Sequence, residues 1–165
     1  STVKFWTVGT GAAGSLYKSH ARSAAKSNSF MEVPTVTIDS LCDLYGIIPD
    51  LVKIDVEGAE QQVLHGSRKC ALQAKSRFLV EMHSNPDIPM AKNAAGVLEW
   101  CRAVGYLAWY LKEATCCENP QQVEHRGRCH LLLQPSGWEY PVWLRGIKQS
   151  ADLEEALIES GKYLN

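Results

Sequence analysis

The stretch that decides the fold is Leu51-Val52-Lys53-Ile54-Asp55-Val56-Glu57-Gly58-Ala59-Glu60. Its apolar, β-branched first half reads as a buried strand, Gly58 allows a sharp turn, and Ala59 to Leu64 has helical spacing before His65 and Gly66. In an open α/β sheet, ligands bind just beyond the carboxyl ends of the strands, and this strand delivers Asp55 and Glu57 to that edge. The two carboxylates share side-chain parity along the chain, so both can face one cleft. Helix capping by Asp55 or Glu57 is the structural alternative, and Glu60, in the first helical turn, reads as a partner of the helix dipole.

Downstream, Arg77 to His83 is a second buried strand that repeats the device, with Glu81 and His83 on one side of its carboxyl end. Two such strands side by side gather Asp55, Glu57, Glu81 and His83 around one crevice. A carboxylate and an imidazole there can take a proton from an attacking hydroxyl. The alternative is that Glu81 and His83 only orient the loop from Ser84 to Pro89. His20, His65, His125 and His130 have no such setting.

Outward from this centre, Val33 to Ile38 reads as an extended segment with Pro34 near its start. Thr37 or Asp39 is placed to cap a helix from Ser40 to Tyr45, and Gly46 to close it. A helix is expected from about Ala91 to Val104 with Gly105 as its stop. Tyr106 to Leu111 and Cys129 to Gln134 read as an antiparallel hairpin, and Ser150 to Leu164 as an amphipathic terminal helix. The alternation of strands and helices predicts an α/β fold with a mostly parallel sheet and a C-terminal antiparallel hairpin.

Gly9-Thr10-Gly11-Ala12-Ala13-Gly14 fits the dinucleotide fingerprint G-x-G-x-x-G. The strand before it alternates where a central parallel strand would be wholly apolar, and the segment after it lacks an apolar stripe. No acid closes a second buried strand nearby. A glycine-rich hairpin loop is the better reading.

Composition sets outer limits. With 165 residues, 45% of them hydrophobic, and a net charge of −1, the chain can build one ordinary core, and charge gives no reason to expect nucleic acid as a partner. No apolar run approaches the roughly 20 residues of a membrane span, so no span is expected, and a cytoplasmic location is the default. The six cysteines are scattered, which argues against a structural zinc site, and no metal is assigned. Cys42, Cys70 and Cys101 read as small buried hydrophobes, whereas Cys116, Cys117 and Cys129 flank a polar turn where a disulfide or metal site stays open.

The ordered blocks Val33-Pro34-Thr35-Val36-Thr37-Ile38-Asp39-Ser40-Leu41, Pro49 to Glu60, Val63-Leu64-His65-Gly66 and Phe78 to His83 resemble the C-terminal half of FkbM-type methyltransferases. The resemblance covers roughly residues 1–111 and implies a partial Rossmann-like class I methyltransferase fold. One partial domain follows from it, with residues 1–32 as a variable hairpin and linker, 33–134 as sheet and helices, and 135–165 as a C-terminal segment and helix. It further implies S-adenosylmethionine as cofactor and O-methylation of a sugar or small natural-product hydroxyl. Asp55, Glu57 and Gly58 would line the cofactor, and Asp55, Glu57, Glu81 and His83 would carry the chemistry. The strand, glycine turn and ribose-binding acid that open the family's cofactor site have no counterpart in the sequence. Weak or no binding of the cofactor by this chain is therefore expected, together with self-association through an uncovered sheet edge. A non-catalytic scaffold or interaction module is the alternative.

Overall fold

The computed structural model describes residues 2–8, 14–19, 21–84 and 86–145. The glycine-rich loop over 9–13 and the expected terminal helix from Ser150 to Leu164 lie outside the described residues.

Strand β1 (Thr2–Thr7) pairs antiparallel with β2 (Gly14–Ser15), placing Trp6 opposite Ser15, and with β3 (Phe30–Pro34), placing Val3 opposite Val33. The β1 to β2 return is the hairpin expected in place of a dinucleotide turn. The extended segment expected over Val33 to Ile38 lies earlier, because the register with β1 ends it at Pro34. Between β2 and β3 the short helix α1 (Arg22–Lys26) buries Ala24 beside Trp6 and Ala21, in a region whose sequence shows no apolar stripe.

Helix α2 (Ile38–Tyr45) is capped by Thr37, whose Oγ1 accepts the Ser40 amide at 3.0 Å, and ends at Gly46 in the left-handed region, φ 64°. Both caps are legible in the sequence because each depends on a single residue type at a single position. Strand β4 (Leu51–Ile54) then leads through the Gly58 turn into α3 (Glu60–His65), a π-helical turn over Cys70–Ala74, and β5 (Arg77–His83). The turn is tight: Glu57 has φ 53° and Gly58 φ 104°.

Helix α4 (Met90–Val104) buries Val97, Leu98, Cys101 and Val104 along one face and stops at Gly105, φ 73°. Strands β6 (Tyr106–Tyr110), β7 (Thr115–Cys116) and β8 (Arg128–Pro135) complete a five-stranded sheet ordered β4-β5-β8-β6-β7. The expected hairpin of β6 and β8 is present, with Ala108 opposite Leu133.

The expectation of a mostly parallel sheet needs correction. Among the described residues only β4 and β5 pair in parallel; β5 with β8, β8 with β6, and β6 with β7 are all antiparallel, as are both pairings of the N-terminal sheet. The physical reason is where the chain returns. The α4 crossover leaves β6 running in the direction of β5, but β8 then inserts between them and takes the hydrogen bonds of both.

Phe78, Val80, Met82, Val97, Leu131 and Leu133 form the fully buried centre of the core, with Trp100 edge-on to Phe78 at 5.3 Å between ring centroids. The β4 side is less covered: Leu44, Tyr45, Ile48 and Leu51 are all exposed.

Candidate active site

The four acidic and imidazole side chains singled out in the sequence do meet. His83 Nε2 lies 3.6 Å from Glu57 Oε2, 3.6 Å from Glu81 Oε1 and 3.9 Å from Asp55 Oδ1. Glu81 and His83 share a face of β5 because strand side chains alternate. Asp55 and Glu57 reach the same point by a different route, since β4 ends at Ile54 and Glu57 belongs to the turn. Its left-handed backbone, costing on the order of 1 kcal/mol or more in a non-glycine residue, is what aims the carboxylate at the β5 edge.

The His83 ring is 8% exposed and its far nitrogen, Nδ1, lies 3.2 Å from Oε1 of Glu60, which is wholly buried. The same carboxylate accepts the Gly58 amide at 3.0 Å and the Asn93 amide group at 2.8 Å. Asn93 also donates to the His83 carbonyl at 2.9 Å. Because the Glu60 carboxylate can only accept, Nδ1 donates in this contact, and Nε2 is turned toward the three outer carboxylates.

Glu60 and Asn93 were not readable as site residues. Glu60 has the position of an ordinary dipole acid, and only the packing of α3 and α4 against the end of β5 turns both side chains inward. Gly58 is buried and its amide donates to Glu60, which fixes the turn between β4 and α3.

A cationic rim surrounds the outer carboxylates. Lys53 Nζ lies 3.2 Å from Glu81 Oε2 and 3.6 Å from Asp55 Oδ2, Arg128 Nη1 3.3 Å from Glu81 Oε1, and His130 Nε2 3.2 Å from Glu81 Oε2. His130, to which the sequence assigns nothing, stands directly across from Glu81 in the β5 to β8 register. Burial pushes the Glu81 carboxyl up, but the Lys53 hydrogen bond and the charges of His130, Lys53 and His83 outweigh it and hold the group below the usual carboxylate range.

Asp55 and Glu57 open onto a cavity of about 800 Å³ between the N-terminal sheet and the start of α3. Its wall is largely apolar, with Phe5, Val36, Ile38 and Val56 among the lining residues. A water-poor wall beside charged groups at a strand edge is the usual setting of a small-molecule site.

The site thus joins an imidazole held by a buried acid to a group of carboxylates, two of which, Asp55 and Glu57, line an apolar cavity. The family model of the Methyltransferase FkbM domain matches residues 2–108, and the chain belongs to that family. No curated protein and no solved structure matches it.

All six cysteines are free. Cys42 and Cys70 come within 3.6 Å of each other, Sγ to Sγ, where α2 meets the π-helical turn. None of the described helices is long and apolar enough to cross a membrane.

Proposed function

We propose that the chain supplies the acceptor-side edge of an S-adenosylmethionine-dependent O-methyltransferase acting on a hydroxyl of a sugar or small natural product. The observation that carries this reading is the convergence of Asp55, Glu57, Glu81 and His83 at the ends of the parallel pair β4 and β5, with Asp55 and Glu57 lining an apolar cavity.

Asp55 and Glu57 fit the cofactor's cationic end by charge. Among the described residues no second strand ends in an acid beside a glycine turn of the kind that holds the ribose. When bound, S-adenosylmethionine supplies an electrophilic methyl group on sulfur. The residues of this chain orient the acceptor against the apolar wall and receive the hydroxyl proton at a carboxylate of Asp55 or Glu57, or at His83 Nε2. Most of the rate in such a displacement comes from holding oxygen, methyl and sulfur in line, and a positioned base adds on the order of 10²–10⁴.

The test is formation of S-adenosylhomocysteine from millimolar S-adenosylmethionine and a panel of hydroxyl compounds, so that weak cofactor binding does not conceal turnover. Asp55→Asn is expected to lower the rate by about 10² or more with the fold intact, because Asp55 is exposed. Turnover indifferent to both Asp55→Asn and Glu57→Gln overturns the assignment of the site. No turnover with any acceptor favours the second reading, a non-catalytic interaction module, for which the exposed apolar residues Leu44, Tyr45, Ile48 and Leu51 beside β4 speak.

A further inference from the structure

The same crevice holds a donor set that methyl transfer does not by itself require. Asp55, Glu81 and His83 each present one ligand atom, and these atoms all lie within 4.8 Å of one another. With His83 Nε2 at 3.9 Å from Asp55 Oδ1 and 3.6 Å from Glu81 Oε1, a point between the three falls on the order of 2–2.5 Å from each, the bond length of a divalent cation to nitrogen and oxygen.

The support behind the imidazole is independent of that spacing. A histidine that ligates through one nitrogen usually donates its other N–H to a carboxylate, which fixes the tautomer and the ring plane. His83 does this at Nδ1 with Glu60, and Glu60 is itself fixed by Asn93 and the Gly58 amide. The ring is thus buried, immobilised from behind, and turned toward the outer carboxylates.

Two of the three rim cations pair with other oxygens of these carboxylates. Lys53 takes Oδ2 of Asp55 and Oε2 of Glu81, whereas His83 Nε2 is nearest Oδ1 and Oε1, and His130 also sits on Oε2. Arg128 contends for Glu81 Oε1, but its side chain is 68% exposed and is free to turn into water. Asp55, Glu60 and Glu81 outnumber the permanent cations Lys53 and Arg128 before Glu57 is counted.

We propose that Asp55, Glu81 and His83 bind a divalent cation, with the remaining positions open to water and to a hydroxyl oxygen of the acceptor. Two carboxylates and an imidazole suit a borderline ion such as Mn²⁺ or Zn²⁺. Bound at the mouth of the cavity, the cation would lower the pKa of the coordinated hydroxyl, whose proton passes to Glu57 or solvent. The oxygen then forms its bond to the methyl carbon as the carbon–sulfur bond breaks and S-adenosylhomocysteine leaves. The role in transfer rests on the function proposed above; cation binding does not.

The experiment is a titration of the full chain with MnCl₂, following free Mn²⁺ by electron paramagnetic resonance with no methyl donor or acceptor present. One site is expected, weakened about 10-fold or more by Asp55→Asn and by Glu81→Gln. Lys53→Gln, which removes a competing ammonium from the same carboxylates, is expected to tighten it severalfold. Asp55→Asn is the decisive variant because the residue is exposed; circular dichroism confirms the fold. The proposal is overturned if the wild-type chain shows no site at millimolar Mn²⁺, or if the affinity is indifferent to Asp55→Asn and Lys53→Gln. Methyl transfer without Mn²⁺ binding sinks this inference alone, and Mn²⁺ binding without transfer leaves it standing while the function proposed above falls.

Discussion

His83 Nδ1 and Glu60 Oε1 stand 3.2 Å apart in the interior, on residues separated by 23 positions, and this contact decides which way the imidazole faces. Glu60 gathers three donors from three places: the Gly58 amide ahead of α3, Asn93 on α4 and His83 at the end of β5. The functional edge and the packing of α3 against α4 are therefore one polar cluster.

Replacing Glu60 by Leu is expected to leave those buried donors without acceptors, at about 1–3 kcal/mol for each unsatisfied group. Urea unfolding measures the loss. Asn93→Asp, which sets a second carboxylate against Glu60, should destabilise more than Asn93→Ala; equal losses would show that the Glu60 to Asn93 contact carries no charge dependence.

At Glu57 stability and activity are expected to move in opposite directions. Glycine adopts φ 53° without a side-chain clash, so Glu57→Gly should raise stability by up to about 1 kcal/mol while removing a carboxylate from the cavity mouth. Thermal melts and methyl-transfer rates on the same preparation check both signs. A destabilised variant would mean that the Glu57 side chain contributes more to the fold than its backbone strain costs.

The Tyr106 hydroxyl lies 2.9 Å from the carbonyls of both Ala71 and Ser76 and shares its one proton between them, and burial pushes its pKa up from the ordinary 10.0 to about 12. A folded-state pKa above the unfolded one stabilises fully below pH 10 and loses that stabilisation as pH rises toward 12. Alkaline titration of tyrosinate absorbance together with far-ultraviolet dichroism should show stability declining over that window. Tyr106→Phe is expected to flatten the decline while costing about 1 kcal/mol at neutral pH.

Thiol labelling of the native chain should modify the half-buried Cys42 and Cys116 before the other four cysteines. Burial pushes Cys70 and Cys101 up to about 12 and Cys117 and Cys129 to about 11, which leaves little reactive thiolate at neutral pH. Mass mapping after brief exposure to an alkylating reagent checks the order. Early modification of Cys101 would contradict the packing of α4.

Calorimetric titration with S-adenosylmethionine is expected to show no tight stoichiometric binding. Submicromolar binding would overturn this expectation.

What the sequence determined by itself is local. The caps at Thr37, Gly46 and Gly105, the strand and turn from Leu51 to Gly58, and the alternation that sets Glu81 beside His83 each depend on residues a few positions apart, and each is present in the structure. Tertiary structure decided what depends on partners far along the chain. β8 enters between β5 and β6 and makes most of the sheet antiparallel, and that register brings His130 to Glu81. α4 carries Asn93 to Glu60, turning an ordinary helix-start acid into the support of the site. Strand direction, register and burial are set by which surfaces meet, and no local pattern of residue types encodes them.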